Sequence, residues 1–253
     1  MWHLLLDPIG RAGAEHMAMD ETLLCDAART GRAFLRLYCW NPPCLSLGRN
    51  ESALTRYDRT AIERGGIAVV RRPTGGRAVW HEHELTYAVA APETAFGSLG
   101  ETYHALHQRL ATALRTLGVT AVLAPAGARA GRLDGGACFA APAGGEVVAR
   151  GRKIIGSAQL RRGGAMLQHG SILLDGSQDP VRALTRWPVP GTAAGRGETT
   201  LARELGRPVT FDEVAQAILD RWRALDGPLA PQPSIGPPID PRRYADPAWT
   251  WRR

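Results

Sequence analysis

RRPTGGRAVWHEHELTY, residues 71–87, is the corner on which the chain turns. Before it, IAVVRR reads as a buried strand that delivers Arg71 and Arg72 to PTGGRAV. After it, ELTYAVAAP reads as a returning strand, so a hairpin-like, glycine-rich corner is expected. Gly75 and Gly76 stand side by side and, lacking Cβ atoms, let backbone approach a ligand closely. Arg71, Arg72, Arg77 and His81 flank them. The pattern is neither a G-x-G-x-x-G dinucleotide turn nor a Walker loop. Spacing alone leaves open a ligand-binding corner and a hairpin turn decorated with arginines. His81 and His83 fall on one face of a strand, but no third ligand stands at a sensible spacing, so no metal site is expected.

Toward the N terminus, CLSLG reads as a short strand that brings Gly48, Arg49 and Asn50 to a rim, and AFLRLYCW alternates as a strand does. A helix from Gly13 to Thr30 places Met17, Leu24 and Ala28 on one face and stops at Gly31, and WHLLL is the first strand. Toward the C terminus, Ser98 and Glu101 form a capping box for a helix with the stripe Leu99, Tyr103, Leu106, Leu110, Leu114 and Leu117. VTAVLA is a strand, and residues 125–145, rich in alanine and glycine, read as a mobile loop. EVVARG, KIIGSAQL and AMLQHGSILL read as consecutive strands of an antiparallel meander. Helices follow near 179–185, at TTLARELG and from Thr210. The proline-rich tail, about 227–253, reads as extended, with Trp249 and Trp251 pinning it to the body. A single domain over 1–253, with no accessory C-terminal domain, is expected.

The 253 residues are 44% hydrophobic and 22% charged, the composition of an ordinary globular protein. No apolar run approaches the ~20 residues that span a bilayer, and no leader pattern follows Met1, so a cytoplasmic protein with no membrane partner is expected. Cys25, Cys39, Cys44 and Cys138 show neither a C-x-x-C pair nor zinc spacing. The first three read as small buried hydrophobes, whereas Cys138 lies in the Gly/Ala loop. A net charge of +7 steers acidic partners toward the protein. The arginines are scattered, with no long basic run and no aromatic RNA-binding signature, so an acidic protein is expected rather than nucleic acid.

ACFAAPAGGEVVARGRKIIGSAQ, residues 137–159, holds Cys138 together with Lys153, the only lysine in the chain. All other basic positions are arginine or histidine. A lysine kept against that drift marks a place where guanidinium will not serve: lysine is compact and can lose its proton, while arginine keeps its charge and its planar fork.

RRPTGGRAVWHEHELTY, ACFAAP, GRKIIGSAQ and QHGSILLD, in that order, resemble the biotin/lipoate protein ligase superfamily and, within it, the LipM-type octanoyltransferases. The resemblance runs from AEHMAMDETLL through LRLYCWNPPCLSLGR to YADPAWTWRR. It implies a mixed α/β fold with a largely antiparallel sheet flanked by helices, as in biotinyl/lipoyl ligase catalytic domains. It also implies that Arg72, Thr74, Gly75, Gly76, Ala78 and His81 hold a thin acyl chain, whose burial is worth roughly 5 kcal/mol for eight carbons at ~0.8 per methylene. Gly156, Ser157, Ala158 and Gln159 would lie beside the reacting carbon. Lys153 would bind the acyl carbonyl as negative charge develops, or help move the proton of the attacking amine. His169 is read first as a satisfied core histidine and second as an orienter of nearby polar groups.

By the same resemblance Cys138 accepts an octanoyl group as a thioester, its thiolate favoured by Lys153 and the surrounding arginines. The implied donor is octanoyl acyl carrier protein and the implied acceptor an apo lipoyl domain such as the glycine-cleavage H protein, with no cofactor. Three alternatives stand beside it. One is the catalytic subunit of a lipoate ligase that uses ATP and Mg and needs a separate accessory polypeptide. Another is an amidotransferase using the same two residues. The last, a noncatalytic acyl-protein or nucleic-acid binder, accounts for the charge but not for pairing an isolated lysine with a loop cysteine.

Overall fold

The computed structural model describes residues 1–126, 139, 142–186, 197–231, 236 and 238–252. Trp2–Arg11 forms β1, Gly13–Thr30 forms α1 and Ala33–Trp40 forms β2. α1 ends at Gly31, whose φ of 73° is left-handed and suits a residue without Cβ. Its inner face is not the plain apolar stripe expected. Met17 and Leu24 are buried, but Ala28 is exposed, and His16, Asp20, Glu21 and Asp26 are buried beside them.

Cys44–Leu47 is β3, Ala53–Arg56 and Arg59–Arg64 are the short helices α2 and α3, Ala68–Arg71 is β4, Val79–His81 is β5 and Glu84–Pro92 is β6. The corner is not the hairpin that its sequence suggests. β3 lies between β4 and β5, parallel to the first and antiparallel to the second, and β6 departs into another sheet. The cause is Arg72, which donates to Ser46 O at 2.9 Å, to Gly75 O at 3.1 Å and to Arg77 O at 2.9 Å. These bonds wrap the glycine-rich turn around the end of β3.

Leu99–Thr116 is α4. Ser98 Oγ accepts from the Glu101 amide at 3.3 Å and Glu101 returns the bond to the Ser98 amide at 2.8 Å, satisfying two donors that a helix start leaves open. Leu106, Leu110 and Leu114 are buried as expected, whereas Leu99 is exposed. Ala121–Leu123 (β7), Val147–Ala149 (β8) and Arg152–Lys153 (β9) make a small antiparallel sheet, and Ile155–Arg162 (β10) and Ala165–Leu173 (β11) make a hairpin. The expected meander is therefore divided at the buried Ile154. Arg150 (φ 49°) and Gly151 (φ 75°) form the two-residue turn that folds β9 back onto β8, a turn that needs positive φ at both centres. Lys153 thus belongs to one sheet and Gly156, Ser157 and Ala158 to the other.

Asp179–Ala183 (α5), Leu201–Leu205 (α6), Phe211–Asp226 (α7) and Ala230–Pro231 (β12) follow. The main sheet runs β10-β11-β6-β2-β1-β12, antiparallel as far as β2 and parallel from β2 to β12. Alternation along β2 sends Leu35 and Leu37 toward α4 and α7, where Leu110, Ile218 and Trp222 pack, and Phe34 and Tyr38 toward Met17 and Leu24 of α1. The tail is not extended throughout, for Arg242–Ala245 (α8) and Pro247–Thr250 (α9) are helical. It is pinned as its tryptophans suggest: Trp249 Nε1 donates to Arg71 O at 2.9 Å, and the Arg71 guanidinium donates to Thr250 O at 3.0 Å and Arg252 O at 3.1 Å. No helix among the described residues is long and apolar enough to cross a membrane.

Candidate active site

Between α1, β10, β11 and the glycine-rich corner lies a narrow cavity, partly open to solvent. Met17, Tyr38 and Trp40 form its apolar side. Of the residues expected to hold the acyl chain, Arg72, Gly76 and His81 line it, as do Gly156, Ser157 and Ala158, which were expected beside the reacting carbon. Thr74, Gly75 and Ala78 do not. Ala78 is buried in a separate cluster with Leu45 and Tyr57, Gly75 turns its carbonyl to Arg72, and Thr74 is buried against His169.

These three act behind the wall because the turn must be braced before it can form one. The backbones at Gly48 and Gly76 touch so closely that a Cβ on Gly48 would fall 1.9 Å from Gly76 O. Ser46 Oγ accepts from Arg72 at 2.6 Å and lies 2.6 Å from His81 Nε2. His81 Nδ1 lies 2.7 Å from Glu84 Oε1, and the ring stacks on Trp40 with centroids 3.9 Å apart. Burial lowers the pKa of His81, with Glu84 opposing that shift. His81 thus forms a wall of the cavity, and His83 is exposed beyond the end of β5. Among the described residues no three His, Cys, Asp or Glu side chains gather as a metal site.

Behind His169 lies a polar cluster that sequence reasoning missed. His169 Nδ1 is 2.8 Å from Asp20 Oδ2 and its Nε2 is 2.7 Å from Thr74 Oγ1, so the ring is satisfied at both nitrogens and also faces the cavity. Asp20 accepts from Arg36 at 2.8 Å and from Tyr38 OH at 3.0 Å. Burial alone would raise the Asp20 pKa, but the His169 hydrogen bond and the Arg36 charge outweigh it and the carboxyl is held below its ordinary value. The available signal was position: Asp20 stands three residues after Met17 and four before Leu24, on the face that must be buried.

Lys153 is almost fully buried, and its Nζ donates to Glu146 Oε1 at 2.6 Å. Glu146 Oε2 accepts from the Ala143 amide at 2.7 Å. The buried Phe139 ring has its centroid 5.2 Å from Lys153 Nζ. Cys138 lies outside the described residues. Glu146 was legible only as the one acid between the two residues singled out for chemistry. Of the other cysteines, Cys44 is buried and Cys39 half-buried, while Cys25, read as a buried hydrophobe, is exposed on α1. Gln159 is off the cavity and donates to Gln168 at 3.2 Å.

The arrangement is a narrow, largely apolar slot whose β10 side follows directly on a buried ammonium–carboxylate pair. It suits a linear acyl chain with a reacting carbonyl at its polar end.

The sequence profile described as the lipoyl protein ligase A/B catalytic domain matches residues 12–223. The chain is 41% identical over 244 residues to an octanoyltransferase, LipM, of Symbiobacterium thermophilum, covering 90% of this chain and 88% of that protein. It is 37% identical over 246 residues to octanoyltransferase LipM of Kyrpidia tusciae, covering 91% and 89%. Among solved structures, a putative lipoate protein ligase from T. acidophilum with bound lipoic acid has a TM-score of 0.80 at 21% identity, covering 99% of both chains. That last likeness is one of fold.

Proposed function

The chain belongs to the lipoyl protein ligase A/B catalytic-domain family, and from that premise we propose that it carries an octanoyl group from acyl carrier protein, through a thioester on Cys138, to a lysine of an apo lipoyl domain such as the glycine-cleavage H protein. It is an octanoyltransferase, like its relatives of similar length, and its acceptor is a lipoyl-domain protein.

The cavity takes the octanoyl tail between Trp40, Gly76 and Ala158. The Cys138 thiolate attacks the donor carbonyl, a carbon–sulfur bond forms to Cys138, and the carrier leaves as thiolate. The lysine amine then attacks, a carbon–nitrogen bond forms, the bond to Cys138 breaks, and the proton shed by nitrogen passes to sulfur. Exchange of one thioester for another is nearly balanced and amide formation is downhill, so the reading needs no ATP. Lys153 stabilises the oxyanion of each tetrahedral intermediate. Lys153 Nζ is held by the Glu146 carboxylate at 2.6 Å, a fixed seat that supports electrostatic stabilisation.

The observation that carries the thioester step is the seat of Phe139. It follows Cys138 directly in the chain and packs against Lys153. A comparison of donors tests the reading: octanoyl carrier protein is expected to label an apo lipoyl domain without ATP. Labelling from free lipoate that requires ATP, with or without a partner polypeptide, would make the protein a ligase instead.

A further inference from the structure

Lysine carries a point charge on a long, flexible stem, so the seat of the Lys153 ammonium must be supplied by what surrounds it. Glu146 supplies that seat, with Oε1 2.6 Å from Lys153 Nζ, and Glu146 stands on a tight turn that needs fixing in its own right. The Glu146 amide donates to Ala143 O at 3.1 Å, and Gly145 has a φ of 80°. A glycine backbone has more alternatives than any other. An unanchored Gly145 would therefore leave the Gly145–Glu146 peptide, and with it the carboxylate, several orientations.

The anchor comes from α4. His107, fully buried, places Nδ1 2.7 Å from Gly145 O. A carbonyl oxygen only accepts, so Nδ1 carries the hydrogen and donates. Burial lowers the pKa of the ring to about 4; the Gly145 hydrogen bond opposes this and the Lys153 cation adds to it. The ring is neutral at pH 7, and its Nε2 accepts from Ser157 Oγ at 2.8 Å. Side chains alternate along β10, so Ala158 faces the cavity beside His169 while Ser157 turns to α4. Tyr103, four residues before His107, packs its ring 4.0 Å from the imidazole and places its hydroxyl 3.5 Å from Glu146 Oε1. One imidazole thus joins the turn under the ammonium to the strand under the cavity.

We propose that His107 is the positioning residue for Lys153: by bonding Gly145 O and Ser157 Oγ at once, it holds the Glu146 carboxylate, and so the ammonium, in register with the strand that lines the cavity. The catalytic consequence rests on the acyl-transfer reading above; the seat of the lysine does not. His107 moves no proton, because its hydrogen is committed to Gly145 O.

Lys153 is the only lysine in the chain, so isotope-labelled lysine reports on it alone in the full-length protein. A lysine held in one seat shows two separate proton shifts for its ε-methylene, whereas one free to turn shows a single averaged shift. Two shifts are expected in the wild type and in His107→Gln, whose amide can donate to Gly145 O and accept from Ser157. One is expected in His107→Ala. Octanoyl transfer from carrier protein to an apo lipoyl domain is expected to fall about a hundredfold in kcat for His107→Ala, the scale of a small misplacement caused from outside the chemistry. The donor KM is expected to change little, and His107→Gln to recover most of the rate. Adding His107→Ala to Lys153→Ala is expected to cost no further rate, since the two residues act as one unit. A merely structural histidine would slow both backgrounds alike. Should His107→Ala fail to fold, His107→Leu fills the space without a donor and takes its place. A wild-type lysine spectrum in that variant overturns the inference, as does an altered spectrum with full kcat or a single averaged shift in the wild type. If the wild-type protein transfers no octanoyl group, the acyl-transfer reading falls, and the lysine spectrum alone judges His107.

Discussion

Lys153 and Glu146 form a buried ion pair, Nζ to Oε1 at 2.6 Å, inside the small sheet and directly ahead of the strand that lines the cavity. A charge is rarely held away from water unless it is both paired and used. Lys153→Arg is expected to fold and to lose octanoyl transfer by at least about a hundredfold, the scale of losing one oxyanion donor. Guanidinium keeps a positive charge but spreads it over a fork too broad for this seat. Steady-state transfer rates beside a melting curve read this directly, and full activity in Lys153→Arg would remove the lysine from the chemistry.

Removing the other partner acts first on stability. Glu146→Ala leaves the Lys153 ammonium buried and the Ala143 amide without its acceptor, so a loss of about 3–5 kcal/mol is expected. Glu146→Gln retains an acceptor oxygen and is expected to cost less than half of that. Urea unfolding of the two variants checks the order, and equal losses would mean that the charge contributes nothing.

Gly170 is required by contact rather than by backbone angle. A Cβ there would meet Ser157 Oγ at 2.5 Å, Gly156 O at 2.6 Å and Tyr87 Cε1 at 2.9 Å. Gly170→Ala is expected to destabilise by about 1–3 kcal/mol, the usual cost of overpacking, and to weaken acyl binding as β10 moves away. Calorimetry and the donor KM report the two effects separately.

Acid sensitivity follows from the buried imidazoles. Burial lowers His107 to about 4 and, aided by Arg36, His16 to about 3, against an ordinary 6.5. Below pH 6.5 the unfolded chain binds protons at these positions that the folded chain refuses, so stability falls as the pH drops from 6.5 toward 4. The lowered Asp20 contributes stability that is present above the usual carboxyl range and is lost only at still lower pH. Denaturation midpoints from pH 7 to pH 4 should decline over this window, and His107→Gln should flatten the decline.

Elements with local punctuation were legible in the sequence. α1 ends at the glycine marked for it, α4 carries its capping box, and α7 starts at Thr210, whose side chain accepts from the Glu213 amide. Pairings set by distant partners were not. Nothing near Arg72 announces that it will wrap the corner around β3, and nothing in KIIGSAQL announces the break at Ile154. The site shows the same division. Motif order singled out Gly76, His81 and Gly156 to Ala158, which line the cavity, and equally Thr74 and Ala78, which are buried beside His169 and with Leu45; nothing local in the motif separates the two groups. His107 was hidden within an apolar stripe, four residues after Tyr103 and three before Leu110. A polar residue at such a position either finds buried partners or destabilises the helix, and that is the signal by which it could have been found.

The central claim, covalent transfer through Cys138, is tested most directly by intact-mass measurement after incubation with octanoyl carrier protein and no acceptor. One octanoyl group, released by hydroxylamine and absent from Cys138→Ser, is the expected result. An enzyme that stays unmodified while forming octanoyl-lysine at full rate once the lipoyl domain is added would contradict it.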